Sequence, residues 1–148
     1  MPSALAYYAP RAILTLFAGI TAIVPYIADF NHTHVYNPTW PGHARFHNGQ
    51  TMSMGTYLGL STLWLTWRPA AKTDNLLTAT VVAAAYYTTM FTAYFFPGAT
   101  AWDPPQQAPF EMSHLAVVVP MLSLVGTAYA LEQLRVGGLA KSEKAKSL

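Results

Sequence analysis

The chain has no cysteine among its 148 residues, which excludes disulfides, thiolate metal sites and thiol nucleophiles. Charge is nearly as scarce. Asp, Glu, Lys and Arg make up 9% of the chain, against about 25% in an ordinary soluble domain. A net charge of +2, with no basic residues interleaved with aromatics, argues against nucleic-acid binding. No glycine-rich nucleotide loop, haem-attachment motif or serine nucleophile turn occurs.

What is present is 53% hydrophobic and falls into four uncharged stretches: Ala12 to Ala28, Gln50 to Trp67, Asn75 to Phe96 and Leu115 to Leu131. A bilayer core about 30 Å thick takes about 20 helical residues, so the shorter stretches need their flanks to span it. A soluble bundle would need charged outer faces, and these segments carry none. The expected fold is therefore all-α: a four-helix transmembrane bundle over residues 1–136. Its spans are placed near 11–29, 48–68, 75–97 and 112–134, followed by a disordered basic tail over 137–148. Four spans put both termini on one side, with seven of the eight basic residues (Arg11, Arg68, Lys72, Arg135, Lys141, Lys144 and Lys146). Only Arg45 lies opposite, so the positive-inside rule makes the termini cytosolic. The protein is expected to be multi-pass, in the endoplasmic reticulum or another endomembrane of a eukaryote, or in a bacterial plasma membrane. The first span is expected to remain attached, because Tyr26 stands where signal cleavage needs a small residue.

Pro41 near a helix start suits the second helix, placed from about Gly42 to Trp67. The third is expected after the capping cluster Thr73-Asp74-Asn75, ending at Pro97-Gly98. The fourth is expected from near Phe110 to near Arg135, with Pro120 inside it. Small residues recur four apart at Ala18/Ala22, Gly55/Gly59, Ala79/Ala83 and Gly126/Ala130, spacing that lets helix backbones approach closely. Asn31-His32-Thr33 matches the glycosylation acceptor but lies too near the membrane for modification to be expected.

The polar residues concentrate on the outer side. Four of the five histidines lie between residues 32 and 47, and His114 follows the second outer loop. His43 and His47 are four apart, hence on one helical face, which Gln50 and Met54 are expected to continue inward. Asp29 and His32, like Glu111 and His114, are three apart and suited to carboxylate–imidazole pairing. His34 is given no part in this set. Arg45 is read as an interfacial anchor, as an ion pair with Asp29, or as a stabiliser of negative charge.

Three chemistries fit these residues. In the first, His43, His47 and His114, with Asp29 or Glu111, move protons on a lipophilic substrate. In the second, the same three histidines ligate zinc or iron, with a carboxylate. In the third, the histidines are structural and the protein binds a membrane lipid or a protein partner without catalysis. The first is the reading adopted: an enzyme of isomerase, cyclase or oxygenase type, acting in secondary metabolism, with the cofactor left open between none and zinc or iron. Trp40, Gln50, Met54, Tyr87 and Trp102 are expected to contact the substrate.

The run NPTWPGHARFHNGQTMSMG, Asn37 to Gly55, resembles a family of small four-helix membrane proteins of fungi and some bacteria. Their pattern is roughly N-P-x-W-P-x-H-A-R-F-H, matched here by Asn37, Pro38, Trp40, Pro41, His43, Ala44, Arg45, Phe46 and His47. The resemblance implies the architecture and no particular reaction. That architecture is also similar to the four-helix anthrone oxygenases of fungal polyketide pathways. It is similar, too, to sterol-isomerase-like membrane proteins that use His and Glu inside a helical bundle. Neither group's full residue pattern is present, and shape alone does not carry function.

Overall fold

The computed structural model describes residues 3–69, 76–102 and 113–147. Among these the chain is all-α, with four helices: α1 (Ala4–Asp29), α2 (Gly42–Trp67), α3 (Leu77–Thr92) and α4 (Leu115–Lys146). A 3₁₀ turn, Ala93–Phe95, extends α3. Helix α1 packs on α2 and α4, α3 packs on the same two, and α1 also meets α3. Helices α1 and α2 run antiparallel: along their seam Thr15 meets Trp67, Ala18 and Ala22 meet Gly59, and Asp29 meets Asn48.

Helix α2 begins behind Pro41 and ends at Trp67, as its flanking residues predict. Its buried stripe is Asn48, Met52, Gly55, Gly59, Thr62 and Thr66, one or two residues per turn. The two glycines set this choice. A Cβ on Gly59 would lie 2.5 Å from the Ala18 carbonyl oxygen, and one on Gly55 would lie 2.7 Å from that of Thr21. Bare backbone at these two positions lets α1 and α2 close up, and Thr56 Oγ1 then donates 3.2 Å across to the Ala22 carbonyl. Ala79 and Ala83 also serve the core, but Gly126 has nothing near it and faces outward. Leu14, Phe17, Leu76, Tyr86, Tyr87, Met121 and Val125 fill the centre.

Several boundaries differ from the sequence expectation. Helix α1 starts seven residues before Arg11, capped by the Ser3 hydroxyl, and carries Pro10 buried within it. Helix α3 gives way to the 3₁₀ turn five residues before Pro97. There Thr89 and Thr92 bond carbonyls three or four residues back, which tightens the last turn. At its other end Leu76 adopts φ 57, held by complete burial of its side chain. The expected capping cluster at Thr73 to Asn75 lies outside the described residues. Helix α4 begins at Leu115 and runs through Gly137 and Gly138 to Lys146, where a disordered tail was expected. Two glycines cost a helix about 1 kcal/mol each without ending it. The strong helix formers after them, with Lys144 and Lys146 against the C-terminal dipole, carry it on.

Helices α1 and α4 are long and apolar enough to cross a membrane. Large apolar side chains stand exposed on all four helices, among them Leu16, Ile27, Tyr57, Trp64, Val81, Val119 and Leu134.

Candidate functional site

At the end of the bundle where α1 leaves and α2 enters, two asparagine turns shape the first loop. Asn31 Oδ1 accepts from the backbone N–H and the hydroxyl of Thr33, both at 2.7 Å, while its Nδ2 donates to the Ala28 carbonyl and caps α1. Asn37 repeats the arrangement six residues on, accepting from Thr39 N–H at 3.0 Å and its hydroxyl at 2.7 Å. Both Asn-x-Thr triplets are thus turn devices, with the side chain mimicking a backbone turn. The first turn swings the chain back so that His34, and not His32, faces Asp29. His34 Nε2 lies 3.9 Å from Asp29 Oδ1, and its Nδ1 lies 2.7 Å from the Thr33 hydroxyl. His32 instead packs on Tyr36. The expected three-residue pairing fails because α1 ends at Asp29, so no helical turn continues to residue 32.

Asp29 is held a second time, by Asn48 Nδ2 donating to Oδ2 at 2.8 Å. A carboxylate only accepts, so this contact fixes which way the Asn48 amide faces. Arg45 does not join them. Its Nη2 donates 2.7 Å to the Asn37 carbonyl and ties the second turn to the first turn of α2.

The far side of the site comes from α3 and the start of α4. The Tyr94 hydroxyl lies 3.2 Å from His114 Nδ1 and accepts the His114 backbone N–H at 3.2 Å. Trp102 Nε1 donates 2.6 Å to the buried Ser113 hydroxyl, pinning its indole to the same corner. Between these groups opens a cleft of about 460 Å³. Its walls include His34, His47 and His114, with Trp40, Trp102 and Asn48.

Of the expected site residues, the cleft therefore gathers His47, His114, Trp40 and Trp102, with Asp29 behind His34. His43 stands outside it, against His47, with the two Nε2 atoms 3.1 Å apart. Gln50 supports His47, its Oε1 lying 3.2 Å from Nδ1, while Met54 is exposed on the α2 surface. The face carrying His43, Gln50 and Met54 turns outward because the neighbouring glycine stripe takes the interior. Tyr87 is 2% exposed and packs edge-on against Phe17 in the core, away from the cleft. Glu111 lies outside the described residues. Among those residues no three His, Asp or Glu side chains come close enough together to hold one metal ion, so His43, His47 and His114 do not form one ligand set. His34 and Tyr94 are additions. The repeated Asn-x-Thr triplets were the available signal for the first, and no local pattern marks the second.

The opposite end of the bundle holds a different polar group. Arg11 and Glu132 have fully buried side chains, bonded at 3.3 and 3.4 Å, and Arg135 grips the same carboxylate with two bonds of 2.7 Å. Tyr7 lies under both guanidinium groups, 3.9 Å from Arg11 and 5.6 Å from Arg135. Arg11 and Arg135 read in the sequence as boundary charges; here they are structural.

No curated protein and no solved structure matches this chain. One family model does match it, over residues 3–142, and is described as a family of unknown function, DUF6640. That match spans nearly the whole chain, cleft and ion cluster included, and the protein belongs to this family.

Proposed function

We propose that the protein is a multi-pass membrane enzyme whose outer cleft binds a lipophilic small molecule and transfers a proton on it. The observation that carries this reading is the convergence of three imidazoles and two indoles, from two loops and α2, on one cleft. Large apolar side chains exposed on all four helices support a lipid setting, in which they meet acyl chains and not water. Among the described residues every Lys and Arg but Arg45 lies on the side of the bundle away from the cleft, which favours cytosolic termini.

His114 is the proton-exchanging group. Its Nδ1 meets the Tyr94 hydroxyl, and among the described residues its Nε2 has no bonded partner. The tyrosine oxygen can receive Nδ1–H, leaving Nε2 a base, or donate to Nδ1, leaving Nε2–H an acid. One rotating hydroxyl thus serves both directions of transfer. In an enolisable ketone, the C–H bond beside the carbonyl breaks and its proton passes to Nε2. The electron pair moves to the carbonyl oxygen, and the proton returns at carbon to give exchange or isomerisation. His34, backed by Asp29 at 3.9 Å, lines the same cleft and is the group assigned to the enolate oxygen. Trp40 and Trp102 provide the apolar walls.

The test uses the full-length protein in detergent micelles with 2-tetralone, a lipophilic enolisable ketone, in D2O. Mass spectrometry should show deuterium uptake above that of micelles alone. Uptake should fall about 100-fold in His114→Ala and stay unchanged in His32→Ala. Uptake equal to that of empty micelles would refute proton transfer. Saturable binding of the ketone without exchange would favour the carrier reading, in which the same cleft only holds a lipid.

A further inference from the structure

One polar feature borders the cleft without serving the proton transfer: His47 forms part of the cleft wall, and on its other side it meets His43, which stands outside. His43 and His47, one turn apart on α2, direct their Nε2 atoms at each other across 3.1 Å, and both side chains are exposed. Two nitrogens this close must share a proton or another electrophile. Gln50 decides the tautomer. Its Oε1 sits 3.2 Å from His47 Nδ1 and accepts, so Nδ1 carries the hydrogen and His47 Nε2 presents a lone pair. In the metal-free protein that lone pair receives the His43 Nε2–H.

We propose that His43 and His47 are a two-imidazole chelate for a borderline divalent transition ion of the Cu²⁺ or Zn²⁺ class. The ion replaces the proton between the rings. With metal–nitrogen bonds of about 2.0–2.1 Å, a 3.1 Å separation gives a bite of about 98°, suited to neighbouring positions on a tetragonal or distorted tetrahedral ion. Gln50 completes the arrangement, because a ligating histidine ordinarily donates its remote N–H to a carbonyl or carboxylate that fixes the ring. His43 changes tautomer on binding, moving its hydrogen to Nδ1 and releasing no net charge. The other positions on the ion are open to water. By the usual order of divalent affinities, Cu²⁺ binds tighter than Zn²⁺ here. The pair shares His47 with the cleft wall but uses neither His114 nor Tyr94, so it does not depend on proton transfer there.

The test is Cu²⁺ added to the untagged full-length protein in micelles, read by electron paramagnetic resonance. One equivalent should bind with superhyperfine coupling from two imidazole nitrogens. His43→Ala and His47→Ala should each retain one nitrogen and bind at least about tenfold more weakly. Gln50→Leu should keep both nitrogens and lose about tenfold in affinity. His32→Ala should match the wild type. Melting temperatures unchanged in His43→Ala and Gln50→Leu confirm that folding is not the cause. A wild-type spectrum with a single nitrogen, or one identical to that of His43→Ala, would overturn the proposal.

Discussion

The two ends of this bundle spend similar polar residues in opposite ways. At the Arg11–Glu132–Arg135 end, the charges are sunk between α1 and α4, and Glu132 is fully enclosed by the two arginines. At the histidine end, Asp29 and His34 keep 21% and 34% of their side-chain surface, and their contact is 3.9 Å long. A tight buried pair is costly to break because the survivor is left charged in a dry site. A loose, partly exposed pair is cheap to rearrange. The first end is built to stay fixed, and the second is built to meet something.

The largest expected effect breaks the fixed end. Glu132→Gln leaves Arg11 and Arg135 facing each other without a carboxylate, and should cost about 3–5 kcal/mol, read by SDS titration in mixed micelles. Next comes the seam that joins the two ends. Gly59→Leu drives a side chain onto the Ala18 carbonyl and should cost about 1–3 kcal/mol, whereas Gly126→Leu should leave stability unchanged. A smaller loss is expected at the open end. Asp29→Asn retains the packing of α1 and should cost about 1 kcal/mol while slowing deuterium uptake by the ketone. Equal losses from Asp29→Asn and Glu132→Gln would erase the distinction between the ends. The smallest change concerns the extension of α4. Gly137→Ala, on an open helix face, should stabilise that turn by about 0.5–1 kcal/mol, seen as slower amide exchange from 137 to 146.

Much of the framework could be read from residue spacing. Pro41 and Trp67 bracket α2, and the Gly55/Gly59 spacing marks the α1–α2 seam, because both are local signals that tertiary packing only reinforces. Long-range choices were hidden. Nothing near Glu132 announces that Arg11, on another helix, will bury against it. Periodicity put His43, Gln50 and Met54 on one face correctly but could not say which face turns inward; the glycine stripe beside it decided that. His34 was passed over because the Asn31 turn, and not helical spacing, brings it to Asp29. Tyr87 looked like a lining residue on a polar-rich helix, yet its ring is needed against Phe17 in the core. The tail after Gly137-Gly138 looked disordered because glycine is a stop signal only where the following residues do not favour helix.

The claim beneath all of this is that the two ends lie on opposite sides of a lipid bilayer. The absence of native cysteine allows a direct test with single introduced thiols. His32→Cys reports the cleft end, and Lys144→Cys reports the end of α4. In sealed vesicles or cells, a membrane-impermeant maleimide should label position 32 from the outside, and position 144 only after permeabilisation. Labelling of both positions from the same side, or equal labelling before and after permeabilisation, would contradict the account.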